Sequence, residues 1–320
     1  MNNKQNFLRK LGGAFWVLVA GLLAILMVSI VKAPGAKQPY YKPNVFPPTS
    51  FRLARENFTE LERELKEFVD SQPGEVGLYF FDLTTGGHFG INEKEPLPAA
   101  SSIKVPVALY LYEQVAANKI SLDEQMAYDP DVHWSGGAGT IRWNAYPGQL
   151  FTLGELARKL IRESDNVAWR MLTNRLGQDN IEAFMKNLGG KTVFPGGKNY
   201  STAEDLVTYT RAALDFAHSN PDAGWILMDD LVHSIYKDGL PAFLPAEVQV
   251  GHKVGALPAV ATDVGVVFLP ERPYVLAVMT KDVGASEDPG FEAIAKISRL
   301  VYNHRIGKQN QSLALKADTL

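Results

Sequence analysis

The sequence predicts an α+β fold in which an antiparallel sheet is built from the two ends of the domain. Strand-like runs occur near its start and near its end, at residues 76–83, 88–91, 264–269 and 274–280. Helical periodicity fills the middle of the chain and predicts a helical lobe there. Because strands and helices do not alternate along the chain, a doubly wound parallel sheet is not expected. Helices flank the sheet, and a transmembrane helix precedes the domain.

The N-terminal element is an uncharged apolar run at residues 11–31, long enough to span a bilayer as a helix. Basic residues, and no acidic ones, lie in the preceding residues 1–10. Positive charge favours the cytoplasmic side, so residues 1–10 are expected to form a cytoplasmic stub. The chain is thus predicted to be a single-pass protein of the cell membrane, with its C-terminal domain outside the cytoplasm. A cleaved signal peptide is the alternative, although Pro34 interrupts the small-residue pattern of a cleavage site.

A proline-rich linker follows at residues 32–50, where five prolines favour an extended tether. The folded domain is expected to cover residues 51–305. Residues 306–320 are polar and lack periodicity, which predicts a flexible tail.

The first elements of the domain are an amphipathic helix at residues 58–69 and a hairpin of the first two strands. A further helix opens at Ser101. Residues 150–190 predict two helices that separate near Gly177, and Ser201 begins the cap of the next helix. The last two strands then precede a final helix at residues 291–302.

Composition excludes several classes of function. The chain has 320 residues, 46% of them hydrophobic, a net charge of −3 and no cysteine. Without a basic stripe, nucleic acid is not an expected partner. Without thiols, and with histidines that lack ligand spacing, no metal ion or cofactor is expected. We expect a monomer.

Ser101 and Lys104 form the most informative motif, a hydroxyl and an amine three residues apart. On a helix these side chains share a face. A serine becomes a nucleophile when a neighbouring base takes its proton, and a buried lysine with a lowered pKa can be that base. The alternative is that Ser101 only caps the helix, a role for which Ser102 competes.

Two further motifs follow in the order that such chemistry requires. Ser164-Asp165-Asn166 lies inside the helical stretch 153–176, where these residue types are locally unfavourable. Lys253-Val254-Gly255 precedes an apolar run. The alternatives are a surface loop for the first motif and an ordinary exposed lysine for Lys253.

Together the three motifs resemble the S-x-x-K, S-D-N and K-T-G set of class A β-lactamases and penicillin-binding proteins. The resemblance covers about residues 51–305 and implies a β-lactamase-like fold with the active site between the lobes. It implies Ser101 as nucleophile, Lys104 as its base and Ser164 as the proton relay to the leaving nitrogen. Lys253 would hold the substrate carboxylate by its charge and favour the relay through Ser164.

For the substrate, the resemblance implies that Asn166 binds the side-chain amide. The segment at Gly255 and Ala256 would lie against the substrate, and the amides of Ser101 and Ala256 would form the oxyanion hole.

The chain departs from this family pattern at two places. The Ω-loop glutamate, which activates the deacylating water, has no equivalent in residues 189–200, a short segment without a carboxylate. Valine replaces the hydroxyl residue at position 254, so weaker carboxylate recognition is expected.

The resemblance therefore implies a serine hydrolase that forms a Ser101 acyl-enzyme with β-lactams or related amides, with slow deacylation, and the apolar run at residues 11–31 would anchor it in the membrane. Such a protein would act in β-lactam catabolism and the response to antibiotics. One alternative is a D,D-peptidase or carboxypeptidase acting on peptidoglycan stem peptides of the cell wall. A non-catalytic wall-binding module with the same fold is the other.

Overall fold

A five-stranded antiparallel sheet is the centre of the fold in the computed structural model, which describes residues 57–317 and the side chains of residues 57–307. The predicted stub, transmembrane helix and linker lie outside the described residues. Within residues 57–317, no helix is both long enough and apolar enough to cross a membrane.

The sheet has the order β2-β1-β9-β8-β7, and each neighbouring pair is antiparallel. Its strands come from the two ends of the domain: β1 (Glu75–Asp82), β2 (His88–Ile91), β7 (Gln249–Leu257), β8 (Val260–Phe268) and β9 (Tyr274–Lys281). Shorter strand pairs join β3 (Leu97–Pro98) to β6 (Tyr200–Ser201) and β4 (Gln125–Ala127) to β5 (Leu150–Thr152). The predicted α+β architecture is confirmed.

Helices cover both faces of this sheet. The elements between the two groups of strands are α2 (Lys104–Ala116), α3 (Pro130–His133), α4 (Ile141–Asn144), α5 (Leu153–Arg162), α6 (Asn166–Leu176), α7 (Gln178–Asn187), α8 (Ala203–Ser219) and α9 (Pro221–Val232). The other face carries α1 (Thr59–Asp70) and α10 (Asp288–Ala317). The two faces have separate apolar cores, one with the helical lobe and one with the terminal helices.

Strand β7 is an edge of the sheet, and its register decides which side chains reach the lobe. Lys253 pairs with Val264, which lies in the core of the helical lobe. Val254 lies in the opposite core, beside the terminal helices. Because side chains alternate along a strand, Lys253 and Gly255 face the lobe while Val254 faces away from it.

Several element boundaries differ from the sequence predictions. The stretch 153–176 is broken at residues 163–165, so three helices rather than two occupy residues 150–190. The final helix reaches Ala317, and the expected tail is helical in its backbone from 306 to 317. Helix α9, with mixed apolar and acidic residues, received no assignment from the sequence.

Candidate active site

The segment that carries Ser101 is a tight turn of 3₁₀ helix, Ala100–Ile103, between β3 and the start of α2. Ala100 has a φ of +47°, a conformation that costs free energy for a residue with a side chain. The hydroxyl of Ser102 is buried and donates to the carbonyl oxygen of Ala99 at 2.6 Å. Neither serine caps the helix: the Ser102 hydroxyl is bonded to the local backbone, and Ser101 lines the adjoining cavity.

Lys104 is the first residue of α2, and its side chain is 3% exposed. Its amine donates to the carbonyl oxygen of Ser164 at 2.6 Å, to Ser164 Oγ at 3.2 Å and to Asn166 Oδ1 at 2.7 Å. Burial first, and then the charge of Lys253, lowers the pKa of Lys104 well below its ordinary value, while Asp165 opposes the shift. In the described residues, Ser101 is not among its hydrogen-bond partners, so that direct pairing stays a prediction.

Ser164, Asp165 and Asn166 form the break between α5 and α6. Ser164 has a φ of +54° and is buried. The Asp165 carboxylate caps α6 by accepting from the amides of Val167 and Ala168, at 2.8 and 2.9 Å. This cap explains how three residues that disfavour helix interiors are held in a fixed geometry.

Asn166 joins this break to the cavity rim. Its side-chain amide donates to the carbonyl oxygen of Gly136 at 2.7 Å, while its Oδ1 accepts from Lys104. The glycine segment at Gly136 therefore lies beside the edge of the cleft. Asn166 itself lines the cavity.

Lys253 is fully buried in the middle of β7, not at the start of a strand. Its amine donates to the carbonyl oxygen of Val254 at 2.7 Å. Burial lowers the pKa of Lys253 to about 7, although the Asp263 carboxylate acts in the opposite direction. The charge of Lys253 contributes to the lowered pKa of Lys104, so the two amines interact electrostatically. In the part of the chain that the structure describes, Lys253 donates to Val254 and not to Ser164.

Gly255 brings the backbone of β7 against the Ser101 turn. A Cβ atom at this position would lie 2.5 Å from the Ser101 nitrogen and 2.6 Å from Thr262 Oγ1. This approach requires glycine, because atoms cannot come so close without displacement. Ala256 follows and lines the same cavity as Ser101. The two predicted oxyanion-hole residues therefore meet at one wall.

Val254 does not face this wall. It is 6% exposed and lies in the apolar core beside the terminal helices. A valine therefore suits this apolar environment, which the K-V-G motif alone did not indicate. His252 lies on the same face as Val254 and is paired with Asp263 at 2.9 Å.

The cavity beside Ser101 has a volume of about 510 Å³. It contains the predicted residues Ser101, Lys104, Asn166 and Ala256. It also contains residues that the sequence analysis missed, among them Trp169, Gln178, Glu182, Phe194 and Asn199. Trp169 follows Asn166 by three residues on a helix, a spacing that could have indicated it. Among the described residues, no cluster of side chains could hold a metal ion.

Known proteins resemble this chain across most of the described domain. The model of the beta-lactamase enzyme family matches residues 60–305. A beta-lactamase of Bacteroides uniformis is 26% identical over 276 residues, covering 78% of this chain and 92% of the relative. Beta-lactamase SME-1 of Serratia marcescens is 23% identical over 266 residues, covering 74% and 86%.

Among solved structures, PBP-A superposes with a TM-score of 0.72 at 28% identity, covering 79% of this chain and 98% of PBP-A. A mutant of PBP-A, solved as an acyl-enzyme complex with penicillin G, gives the same values. With the family match across most of the described domain, the chain belongs to the beta-lactamase enzyme family and is a serine hydrolase.

Proposed function

We propose that the protein is acylated by β-lactams at Ser101 and that the acyl-enzyme is hydrolysed slowly. The observation that carries the proposal is the buried Lys104 amine, fixed by Ser164 and Asn166 at the wall of the cavity that Ser101 lines. The acyl-enzyme complex of the PBP-A mutant supports the same substrate class.

The hydrogen bonds of Lys104 are consistent with a base. A neutral amine has two N–H bonds and one lone pair. The N–H bonds are directed to the carbonyl oxygen of Ser164 and to Asn166 Oδ1, at 2.6 and 2.7 Å. In the neutral form the third contact, to Ser164 Oγ at 3.2 Å, cannot be a donated hydrogen bond, because the lone pair takes the place of the third N–H. The lone pair can accept a hydroxyl proton, and the lowered pKa keeps the amine neutral at lower pH.

The acylation step follows from these positions. Ser101 Oγ bonds to the lactam carbonyl carbon as its proton passes to Lys104. The backbone amides of Ser101 and Ala256 would stabilise the resulting oxyanion. The carbon–nitrogen bond then breaks, and the ring nitrogen takes the proton of the Ser164 hydroxyl, which Lys104 replaces from 3.2 Å away. The protein gains the mass of the whole β-lactam.

Slow hydrolysis follows from the segment after α7. Residues 189–200 contain no carboxylate to activate a water molecule. The acyl-enzyme should therefore persist, as it would in a penicillin-binding protein. Without such a base, each turnover waits on uncatalysed attack by water.

Intact-protein mass spectrometry after incubation with penicillin G tests the proposal. We expect one added penicillin on the wild-type domain, mapped to Ser101 by peptide analysis and lost slowly. Ser101→Ala should remove the adduct. Ser102→Ala is the matched control, because its hydroxyl bonds to Ala99 and not to substrate. The absence of any adduct on the folded wild-type protein would disprove the proposal.

A D,D-peptidase acting on cell-wall stem peptides is the second candidate, and the missing carboxylate in residues 189–200 favours it. Both activities would use the same acyl-enzyme chemistry. Release of D-alanine from a peptide ending in D-alanyl-D-alanine, abolished in Ser101→Ala, would identify it. The non-catalytic module is disfavoured because the family is one of enzymes.

We also propose that residues 11–31 anchor the protein in the cell membrane, as a monomer with its domain outside the cytoplasm. The charge distribution around the apolar run supports this topology. The full chain should remain with the membrane fraction and be digested by protease added outside spheroplasts. A soluble protein that has lost its N-terminal residues would instead identify a cleaved signal peptide.

A further inference from the structure

The end of the cavity formed by α6 and α7 carries features that the proposed acylation does not use. Glu182 lines this end and, apart from Lys104, is the only residue with a full charge among those that line the cavity. Its side chain is 27% exposed. The carboxylate is thus half-buried in a substrate-sized space, where a charge has more effect than on open surface.

The orientation of Glu182 is fixed from its own helix. The amide of Gln178, one turn earlier, donates to Glu182 Oε1 at 3.0 Å. Lys186, one turn later, approaches only to 3.8 Å and is 60% exposed. Such an exposed pair is weak, so Lys186 leaves most of the negative charge available to a ligand.

An aromatic ring completes this end of the cavity. Trp169 is half-buried on α6, three residues after Asn166, and lines the same space as Glu182. A carboxylate beside an indole ring is a pairing that attracts cations, through charge and through the face of the ring. The Lys104 amine lines the same cavity as Ser101 and Glu182, whereas Lys253 is fully buried and does not line it.

The cavity is therefore lined by one amine, on the helix that follows Ser101, and by one carboxylate, on α7. We propose that Glu182 and Trp169 form a subsite for an ammonium group on the acyl side chain of the substrate. The preferred acyl donors would be zwitterionic, with a carboxylate on the leaving side and an amine on the acyl side. This inference rests on the proposed acylation and specifies its substrate class.

Three penicillins that differ only at the α-carbon of the phenylacetyl side chain test the subsite. Ampicillin carries an amine there, penicillin G carries hydrogen, and carbenicillin carries a carboxylate. At about pH 6.5 the amine is protonated, so the series runs through positive, neutral and negative. We expect the second-order rate of adduct formation, measured by mass spectrometry, to fall in that order.

Glu182→Gln should reduce the differences in the rate of adduct formation among the three penicillins. The rate ratio of ampicillin to penicillin G should fall by about two- to fivefold, the range for a partly exposed charge pair. The readout is this ratio, because removal of a charge from the cavity can change the absolute rates with all three penicillins. Asp179→Asn is the matched control, because it removes one negative charge from the same helix at a side chain outside the cavity. It should leave the order intact.

The remaining outcomes would overturn the subsite and identify the reason. Equal rates for the three penicillins would mean that the acyl-enzyme forms without charge selection. Slower loss of all three adducts in Glu182→Gln, with unchanged formation, would mean that Glu182 acts in deacylation instead. If the folded protein forms no adduct with any penicillin, the proposed acylation fails and the subsite fails with it.

Discussion

Lys104 is the side chain on which the proposed proton transfer depends. Burial and the charge of Lys253 lower its pKa well below the ordinary value of 10.5. The neutral amine is therefore available at a lower pH than in an exposed lysine. We expect the rate of penicillin adduct formation to rise with pH and to level off well below pH 10.5. A rate that is independent of pH across the folded range would contradict this role.

Replacement of the amine gives a second measure of the same role. Lys104→Met should slow adduct formation by about 10²- to 10⁴-fold, the usual contribution of a positioned base. Lys159→Met is the control, since that lysine bonds to Thr140 and Glu163 outside the cavity. The control should react within about threefold of wild type. A similar slowing in both variants would indicate a general loss of structure.

Lys253 links the site to folding stability. Its pKa is about 7 in the folded chain and about 10.5 when the chain unfolds. Between these values the unfolded chain binds a proton that the folded chain does not, so stability rises with pH in that window. Burial of the Lys253 amine therefore lowers the free energy of unfolding most at and below about pH 7. This cost decreases as the pH rises and is gone above about pH 10.5.

We expect Lys253→Met to remove that dependence. Relative to the variant, the wild-type free energy of unfolding should rise by roughly 1 kcal/mol per pH unit between about pH 7.5 and 9.5. Urea unfolding at several pH values measures the difference, and other titrating groups largely cancel because both proteins share them. Parallel profiles for the two proteins would mean that Lys253 stays charged in the folded state.

At the scale of elements, the contact between β7 and the Ser101 turn shapes the oxyanion wall. Gly255→Ala would place a Cβ atom 2.5 Å from the Ser101 nitrogen. We expect this displacement to slow acylation by at least about tenfold, because losing one oxyanion donor alone costs 10²-fold or more. Adduct formation at a temperature where the variant is folded measures it.

Gly251→Ala supplies the comparison within the same strand. Gly251 faces the helical lobe as Gly255 does, and an added Cβ atom would meet Phe268 and Val232 at 3.3 and 3.4 Å. Small side-chain shifts can relieve such contacts. This variant should be destabilised modestly and should keep its acylation rate. Equal losses of rate in both variants would mean that Gly255 has no special relation to Ser101.

The sequence allowed the motif residues and four of the five strands of the central sheet to be predicted, because each has a local signal, whereas strand β7 was not among the assigned strands. Strand alternation indicated β1 and β9, and the spacing of Ser101 and Lys104 indicated a shared face. The break at Ser164 was harder to place, because it depends on capping by Asp165 and on contacts with distant segments.

Tertiary contacts decided the rest of the site. The shortness of residues 189–200 was visible in the sequence, but the position of Glu182 in the lining of the cavity was not. A periodic helix such as α7 does not reveal which face another segment will leave uncovered. Likewise, Val254 could be assigned to the far face of β7 only after its pairing with Asp263 was known.

At the scale of the whole molecule, a buried ion pair connects the two ends of the domain. Arg305 of α10 donates to both carboxylate oxygens of Asp82 on β1 at 3.1 Å, and both side chains are fully buried. Asp82 also accepts from the Thr84 amide and the Thr85 hydroxyl. The pair therefore links elements 223 residues apart in the sequence and holds the terminal helix against the sheet.

Breaking this pair from one side should be costly because it leaves a buried charge. Arg305→Met should lower the free energy of unfolding by about 3–5 kcal/mol. Adding Asp82→Asn should recover at least about 1 kcal/mol, since the remaining charge is then removed. Arg299→Met, on an exposed part of the same helix, should cost less than about 1 kcal/mol.

Urea unfolding of these variants, with adduct formation measured on each folded protein, separates stability from chemistry. The acylation rate should stay near wild type in all of them, because Arg305 and Asp82 lie in the outer face of the sheet and do not line the cavity. A loss of rate without a loss of stability would show that the terminal helix acts on the site. Equal costs for Arg305→Met and Arg299→Met would show that the buried pair does not hold the two ends together.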